Sequence, residues 1–263
     1  MANGEPILEA KNVTIRFGGL TAVSSFDLTM DPNELVGLIG PNGAGKTTIF
    51  NMLTGVYEPA EGEIRISGRP TAHLKPHQIT ALGAARTFQN IRLFKELTVL
   101  ENVEIGGHIH YTYSGTAAVL HTNRFHEAEH IAREEAMRLL DTFDLRSRAY
   151  QYAKNLPYGD QRRLEIARAL AARPKLLLLD EPAAGLNTGE TLALMNTIHG
   201  IRDRFGLAIL LIEHNMELVM GICERILVLN YGRTIARGTP EEIQKDPVVI
   251  EAYLGEPVEV SEL

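Results

Sequence analysis

The chain has one cysteine, no excess of positive charge and no long apolar run, and each of these absences excludes a class of protein. The single cysteine, Cys223, excludes an internal disulfide and is compatible with a reducing compartment. The net charge of −7 argues against a general nucleic-acid-binding protein, which usually carries a basic excess. The longest apolar run, around Leu207–Ile212, has the length of a core strand and falls well short of the ~18–20 residues of a membrane span. Since the first ten residues lack a basic stretch followed by an apolar one, we expect no secretory signal.

One segment matches the phosphate-loop pattern G-x-x-x-x-G-K-[ST]. It comprises Gly40, Pro41, Asn42, Gly43, Ala44, Gly45, Lys46, Thr47 and Thr48. Glycines in such a loop let successive backbone N–H groups turn toward phosphate oxygens. Lys46 would place a positive charge on the β- and γ-phosphates, and the Thr47 hydroxyl would ligate Mg²⁺. The apolar run Leu35–Ile39 predicts a buried strand before the loop, and Thr48–Leu53 predicts a helix whose N-terminus faces the anion.

Two carboxylates follow a second apolar run. Leu176–Leu179 predicts a strand that is covered on both faces, and Asp180 and Glu181 come directly after it. In open α/β sheets ligands bind at that end of the strands. Asp180 suits Mg²⁺ binding beside Thr47, and Glu181 suits a general base or polariser for an attacking water.

Two further polar residues follow predicted strands. His214 comes shortly after the run Leu207–Ile212 and is placed to touch a γ-phosphate, although a lone histidine is more often structural. Gln89 follows the predicted strand Ala85–Phe88, and by itself it indicates no more than a glutamine on the surface.

Strands that alternate with helices predict an α/β fold with a mainly parallel sheet. Turn-linked strands near the N-terminus add a small antiparallel part, and the segment from about Ile91 to Leu156 predicts a helical insertion. Tyr111–Ala118 has no clear period and is interpreted as a loop. We divide the chain into a first core part (1–90), the helical insertion (91–160), a second core part (161–237) and a short helical tail (238–263).

The run LPYGDQRRLEIARAL, which begins at Leu156 and stands before Leu176–Glu181, resembles the signature segment of the ATP-binding subunits of ABC transporters. The resemblance covers essentially the whole chain. It implies a P-loop (RecA-like) fold, ATP and Mg²⁺ as ligands, and ATP hydrolysis. Gly40–Thr48 would then be the Walker A loop and Leu176–Glu181 the Walker B segment.

The same resemblance assigns roles to residues outside the Walker segments. It implies that Gln89 is the Q-loop glutamine and binds Mg²⁺ with Thr47 and Asp180, and that His214 is the switch histidine. It also implies that Phe17 stacks on adenine and that Ala183–Asn187 is the D-loop.

The signature segment departs from the family pattern LSGGQ. Its serine is Pro157 here, its first glycine is Tyr158 and its glutamine is Asp160, while the D-loop aspartate is Asn187. Pro157 has no hydroxyl for a γ-phosphate. The contribution of this segment to the site of a partner subunit would therefore rest on the Gly159 backbone and the helix N-terminus behind it. The residues implied to act on the partner are Tyr158, Gly159, Asp160, Gln161 and Asn187.

These departures, with the ending GTPEEI…AYLGE, resemble the ATP-binding subunits of branched-chain amino-acid importers. The resemblance implies a peripheral protein on the cytoplasmic face of the membrane. Its partners would be permease subunits, a second ATP-binding subunit (or its own copy when isolated) and, indirectly, a substrate-binding protein, with no nucleic acid. Lipopolysaccharide exporters and urea or amide importers are the alternatives within the family. A soluble ABC ATPase acting on DNA or ribosomes is disfavoured by the acidic charge and the single ATPase unit.

Overall fold

The computed structural model describes residues 5–110 and 123–254. Their contacts form two compact units. The core unit contains the described residues up to Ala84 and from Lys175 onward, and the helical unit contains Ala85–Pro174. The borders placed at 90, 160 and 237 from the sequence stay predictions. The predicted loop Tyr111–Ala118 and residues 255–263 of the predicted tail lie outside the described residues.

The strands of the described chain are β1 Leu8–Phe17, β2 Leu20–Met30, β3 Leu35–Ile39, β4 Glu61–Ile66, β5 Arg69–Pro70, β6 Ala84–Arg86, β7 Leu176–Asp180, β8 Ala208–Ile212, β9 Arg225–Asn230 and β10 Arg233–Gly238. The helices are α1 Lys46–Leu53, α2 Pro76–Ala81, α3 Val99–Gly107, α4 Asn123–Thr142, α5 Tyr158–Ala171, α6 Thr188–Phe205, α7 Met216–Ile222, α8 Pro240–Lys245 and α9 Pro247–Leu254.

Parallel strands form the centre of the core unit. β3 lies between β8 and β9 and is parallel to both, and β7 is parallel to β8 on its other side. Every residue of β3, β7 and β8 is buried, which explains their continuous apolar sequences. Because parallel strands end at one edge of a sheet, the loops after β3, β7 and β8 leave from the same edge.

The core unit also contains a separate antiparallel sheet with the strand order β2-β1-β4-β5. β2 pairs with β1 along its whole length, from Leu20 to Met30. β10 returns antiparallel to β9. The α/β architecture with a small antiparallel sheet is therefore confirmed.

The strand predicted at Ala85–Phe88 is shorter in the structure, where β6 comprises Ala84–Arg86. Within the helical unit, the carbonyls of Phe88 and Gln89 accept hydrogen bonds from the Arg162 guanidinium. These two carbonyls are therefore bonded to a side chain. α7 has no counterpart among the predicted elements, and it begins where the Asn215 side chain accepts the N–H of Leu218.

Cys223 lies buried at the end of α7. Burial, together with the charges of Glu224 and Glu213, raises the pKa of its thiol to about 12. The thiolate is the form that reacts with alkylating reagents. At pH 8 we therefore expect iodoacetamide to label Cys223 roughly 10³-fold more slowly in the folded chain than in denaturant, where the thiol pKa is about 8.5. Mass spectrometry of timed samples measures both rates. A folded-state rate within about tenfold of the unfolded rate would contradict the burial described for this thiol.

Candidate nucleotide site

The phosphate loop connects β3 to α1 in the core unit. Gly40 and Gly45 adopt φ angles of +149° and +105°, which L side chains rarely adopt. A Cβ on Gly40 would lie 2.0 Å from the carbonyl oxygen of Leu229, and one on Gly45 would lie 2.9 Å from that of Ala22. Neighbouring backbone therefore requires glycine at both positions. The fixed ends of the loop hold its backbone in place at the start of α1.

The Lys46 side chain folds back over this loop. Its ammonium group donates hydrogen bonds to the carbonyl oxygens of Gly40, at 2.6 Å, and Pro41, at 2.9 Å. Burial lowers the pKa of Lys46, while the negative charges of Glu181 and Asp180 oppose that shift. The cation thus lies near Glu181, the predicted catalytic residue, and Asp180, the predicted Mg²⁺ ligand. An ammonium has three N–H donors, so two bonds to the loop leave one donor for a phosphate oxygen.

The remaining residues of the phosphate loop differ in their exposure to solvent. Ala44 is buried and donates its N–H to the Pro41 carbonyl at 3.2 Å, which tightens the loop. Asn42 and Gly43 are exposed, Thr47 is exposed in the first turn of α1, and Thr48 is half-buried behind it. The hydroxyl of Thr47 is therefore accessible to a metal ion.

Glu181 and His214 contact each other. Nε2 of His214 lies 3.1 Å from Oε1 of Glu181, and both side chains are partly exposed. Glu181 has a φ of +47°, a left-handed conformation uncommon outside glycine, and its N–H donates to the Ile212 carbonyl at 2.8 Å. Such backbone conformations occur often at functional sites. Asp180, the last residue of β7, is 3% exposed. The structure thus brings together the residues predicted at two separate strand ends.

These residues fit a magnesium ion. Mg²⁺ is usually held by one or two carboxylates together with substrate phosphates and water, and it does not need a cage of protein ligands. Asp180 supplies a carboxylate and Thr47 a hydroxyl within the core unit. Among the described residues there is no cluster of three or more His, Cys, Asp or Glu side chains that would suit a self-contained metal site. Gln89, the third predicted ligand, belongs to the helical unit, and its role stays a prediction.

Phe17, predicted to stack on adenine, ends β1 and is 44% exposed. The ring of Tyr57 meets it edge-on, with ring centroids 5.2 Å apart and planes at 70°. Edge-to-face contacts of this kind stabilise aromatic pairs. Sequence reasoning missed Tyr57, and the only available signal was an aromatic residue shortly after the phosphate-loop helix.

Asn187 forms the N-cap of α6. Its side-chain oxygen accepts the N–H of Glu190 at 3.0 Å, and the Glu190 carboxylate accepts the N–H of Asn187 at 2.9 Å. This capping box explains why α6 begins at Thr188. The residue that replaces the usual D-loop aspartate therefore stabilises its own helix.

The signature segment lies in the helical unit, where Pro157 is the N-cap of α5 and makes no side-chain capping bond. The Asp160 carboxylate in the first turn accepts hydrogen bonds from Arg148 and Arg163. Its negative charge is thus balanced within the helical unit. Tyr158 is exposed, and Gln161 donates to the Leu156 carbonyl at 2.8 Å. The backbone of Gly159 stays at the N-terminal end of α5, as the sequence predicts.

A buried ion pair connects α5 with the segment that contains Gln89. Arg162 and Glu165 are 2% and 1% exposed, and they lie 3.1 Å apart. Arg162 donates to the Phe88 carbonyl at 2.8 Å and to that of Gln89, while Glu165 accepts the N–H of Arg92 at 3.2 Å. Burial raises the pKa of Glu165, while the N–H of Arg92 and the charge of Arg162 oppose that shift. The ion pair therefore fixes the backbone on both sides of Gln89.

Removing one member of this pair leaves the other charge buried without its partner. We expect Arg162→Ala to lower the free energy of unfolding by about 3–5 kcal/mol, as for other broken buried pairs. The matched control is Arg138→Ala, since Arg138 forms an exposed pair with Glu134 and should cost no more than about 1 kcal/mol. Denaturant unfolding measures both values. Equal losses in the two variants would contradict the role given to Arg162.

Two family models match the chain. One, described as ABC transporter, covers residues 23–184, and the other, described as branched-chain amino acid ATP-binding cassette transporter, covers residues 233–259. The second match falls on β10, α8 and α9 and on the residues that follow them. No helix in the described part of the chain is long and apolar enough to cross a membrane.

Individual proteins match along almost the whole chain. The high-affinity branched-chain amino acid transport ATP-binding protein BraF of Pseudomonas aeruginosa is 48% identical over 95% of this chain and 98% of its own length. The lipopolysaccharide export system ATP-binding protein LptB of Haemophilus influenzae is 37% identical over 95% and 98%. The ADP conformation of MJ1267, an ATP-binding cassette of an ABC transporter, superposes with a TM-score of 0.82 and 29% identity, covering 96% of this chain and all of that one.

Proposed function

The chain belongs to the ABC transporter family of ATP-binding proteins, and on that premise we propose that it hydrolyses ATP to power an importer of branched-chain amino acids. The observation that carries the cargo assignment is the 48% identity to BraF, against 37% to the lipopolysaccharide exporter subunit LptB. The C-terminal match to the branched-chain family model over residues 233–259 supports the same choice.

The geometry of the core unit supports the proposed chemistry. Lys46 and the N–H groups of the phosphate loop bind the phosphates and neutralise charge on them. Glu181 orients the attacking water and accepts its proton, while His214, 3.1 Å from Glu181, donates toward the γ-phosphate. Phe17, supported by Tyr57, stacks on the adenine ring. Burial of Asp180 and Lys46 keeps their positions fixed during the reaction.

Thr47 and Asp180 would hold Mg²⁺, and the family resemblance implies Gln89 as a further ligand. When bound, the ion neutralises the charge that develops on the phosphates. The ion pair of Arg162 and Glu165 fixes the backbone beside Gln89 and so supports the third ligand.

We further propose that two ATPase subunits bind ATP between them, one through its phosphate loop and the other through the Gly159 backbone and the N-terminus of α5. The partner is a second ATP-binding subunit, or another copy of this chain when it is isolated. Since Asp160 is paired with two arginines, its carboxylate does not add an unbalanced negative charge beside that nucleotide. The helical unit would contact permease subunits at the cytoplasmic face of the membrane.

Affinity purification from gently solubilised membranes tests the cargo assignment. Full-length tagged chain should recover two different multi-span permeases and a second ABC ATPase, identified by mass spectrometry. Recovery of a lipopolysaccharide export complex would replace the importer with the exporter. Recovery of ribosomes or DNA without a membrane protein would leave only the ATPase chemistry.

A further inference from the structure

Glu213 is a buried carboxylate between β8 and His214, and it joins two loops of the core unit. Its Oε1 accepts the N–H of Ala183 at 2.7 Å, while its Oε2 accepts the N–H groups of His214 at 2.9 Å and Asn215 at 3.2 Å. Ala183 lies two residues after Glu181 and thirty residues from Glu213 along the chain. One side chain therefore connects the segment after the predicted general base to the loop that carries the predicted switch histidine.

These three backbone bonds stabilise a charge that burial disfavours. Glu213 is 3% exposed, and no basic side chain in the described residues forms an ion pair with it. Burial raises the pKa of Glu213, the three N–H donors oppose that shift, and the charge of Glu181 adds to it. Burying a carboxylate costs free energy unless it is hydrogen-bonded. An apolar residue would fill this space without that cost, but it could not hold three N–H groups.

We infer that Glu213 is a positioning residue for ATP hydrolysis, which holds the His214 loop against the segment that follows Glu181. The inference rests on the proposed function, because it requires that Glu181 and His214 act in hydrolysis. It adds a connection between them besides their own 3.1 Å contact. Ala183 also begins the predicted D-loop, so the same carboxylate links His214 to the segment predicted to face the partner subunit.

Glu213→Gln tests this role with little change of shape. An amide has one acceptor oxygen, and its NH₂ group would face an N–H donor, so at least one bond to the loops is lost. We expect the loss of a hydrogen bond to this charged group to lower kcat about 10–10²-fold, which is a change of about 1.5–3 kcal/mol in the barrier. KM for ATP and the affinity for a fluorescent nucleotide should change less than about twofold, because the phosphate loop is untouched. The control is Glu217→Gln, an exposed glutamate on α7 that should keep wild-type kcat.

A double-mutant cycle separates positioning from general loss of structure. Since Glu213 acts through His214, adding Glu213→Gln to a His214→Ala variant should lower kcat further by less than about threefold. An equal fold-loss in both backgrounds, or a kcat within about twofold of wild type in the single variant, would overturn the inference. If the glutamine variant is not recovered folded, Glu213→Asp takes its place under the same criteria. Glu181→Gln measured in parallel separates a failure of this inference from a failure of the proposed function. An inactive Glu181 variant beside a normal Glu213 variant rejects this inference alone, whereas a normal Glu181 variant rejects the proposed function.

Discussion

Glu181→Gln should lower kcat for ATP hydrolysis about 10²–10⁴-fold, the usual contribution of a positioned acid or base. Glutamine keeps the size of the side chain and can still contact His214, but it cannot accept the proton of the attacking water. Nucleotide binding should survive, because the amide keeps the shape of the side chain and removes only a charge near Lys46. Steady-state phosphate release, with nucleotide affinity measured in parallel, tests both expectations.

The control for this variant is Glu241→Gln, an exposed glutamate in the first turn of α8. It changes the net charge of the chain equally and should leave kcat unchanged. Turnover of the Glu181 variant within about threefold of wild type would reject Glu181 as the catalytic base. A parallel loss of nucleotide affinity would instead show that Glu181 shapes the binding site.

Lys46→Met should weaken ATP binding about 10–10²-fold, since a hydrogen bond from a charged donor is worth about 1.5–3 kcal/mol. Methionine fills much of the same space, but it removes the ammonium that crosses the loop to the carbonyls of Gly40 and Pro41. Turnover at saturating ATP should also fall, because the positive charge stabilises the transferring phosphoryl group. Titration with a fluorescent ATP analogue measures the affinity.

Lys11→Ala provides the comparison for charge removal, since Lys11 lies on β1 and forms an exposed pair with Glu9. It should leave ATP affinity unchanged. Thermal unfolding of both variants checks that they are folded. If Lys46→Met is folded and binds ATP as the wild type does, the ammonium is not a phosphate ligand.

The sequence predicted the parts of the fold that local patterns determine. β3 matches its predicted bounds of Leu35–Ile39, and β7 and β8 differ by one residue, because each is a short apolar run buried on both faces. The same runs ended in polar residues, which allowed Asp180, Glu181 and His214 to be placed at one edge of the sheet. α8 was predictable from Thr239, whose side chain caps the helix as its spacing to Glu242 indicates.

Contacts between distant segments were not predictable in this way. The bond from Ala183 to Glu213 spans thirty residues, and the bonds of Arg162 to Phe88 and Gln89 span more than seventy. No periodicity or motif encodes which buried carboxylate will accept those N–H groups. Asp160 illustrates the same limit. Its residue type raised the question of a charge beside a nucleotide, and only the positions of Arg148 and Arg163 answer it.

The C-terminal part of the chain matches the branched-chain family model and contacts the phosphate loop. Residues 233–259 match the branched-chain family model, and α9 lies within that range. Burial raises the pKa of the Tyr253 hydroxyl on α9, while the backbone N–H of Gly40 opposes that shift. Tyr253, which belongs to the family-specific segment, therefore lies close to the first residue of the phosphate loop.

Uptake of radiolabelled leucine by cells that lack this chain tests the central claim most directly. Cells are supplied with the wild-type chain, with Glu181→Gln, or with the Glu241→Gln control. We predict that the wild type and the control restore ATP-dependent leucine uptake and that Glu181→Gln does not, although it is present at the same level. Leucine uptake that is equal with and without the wild-type chain would contradict the account.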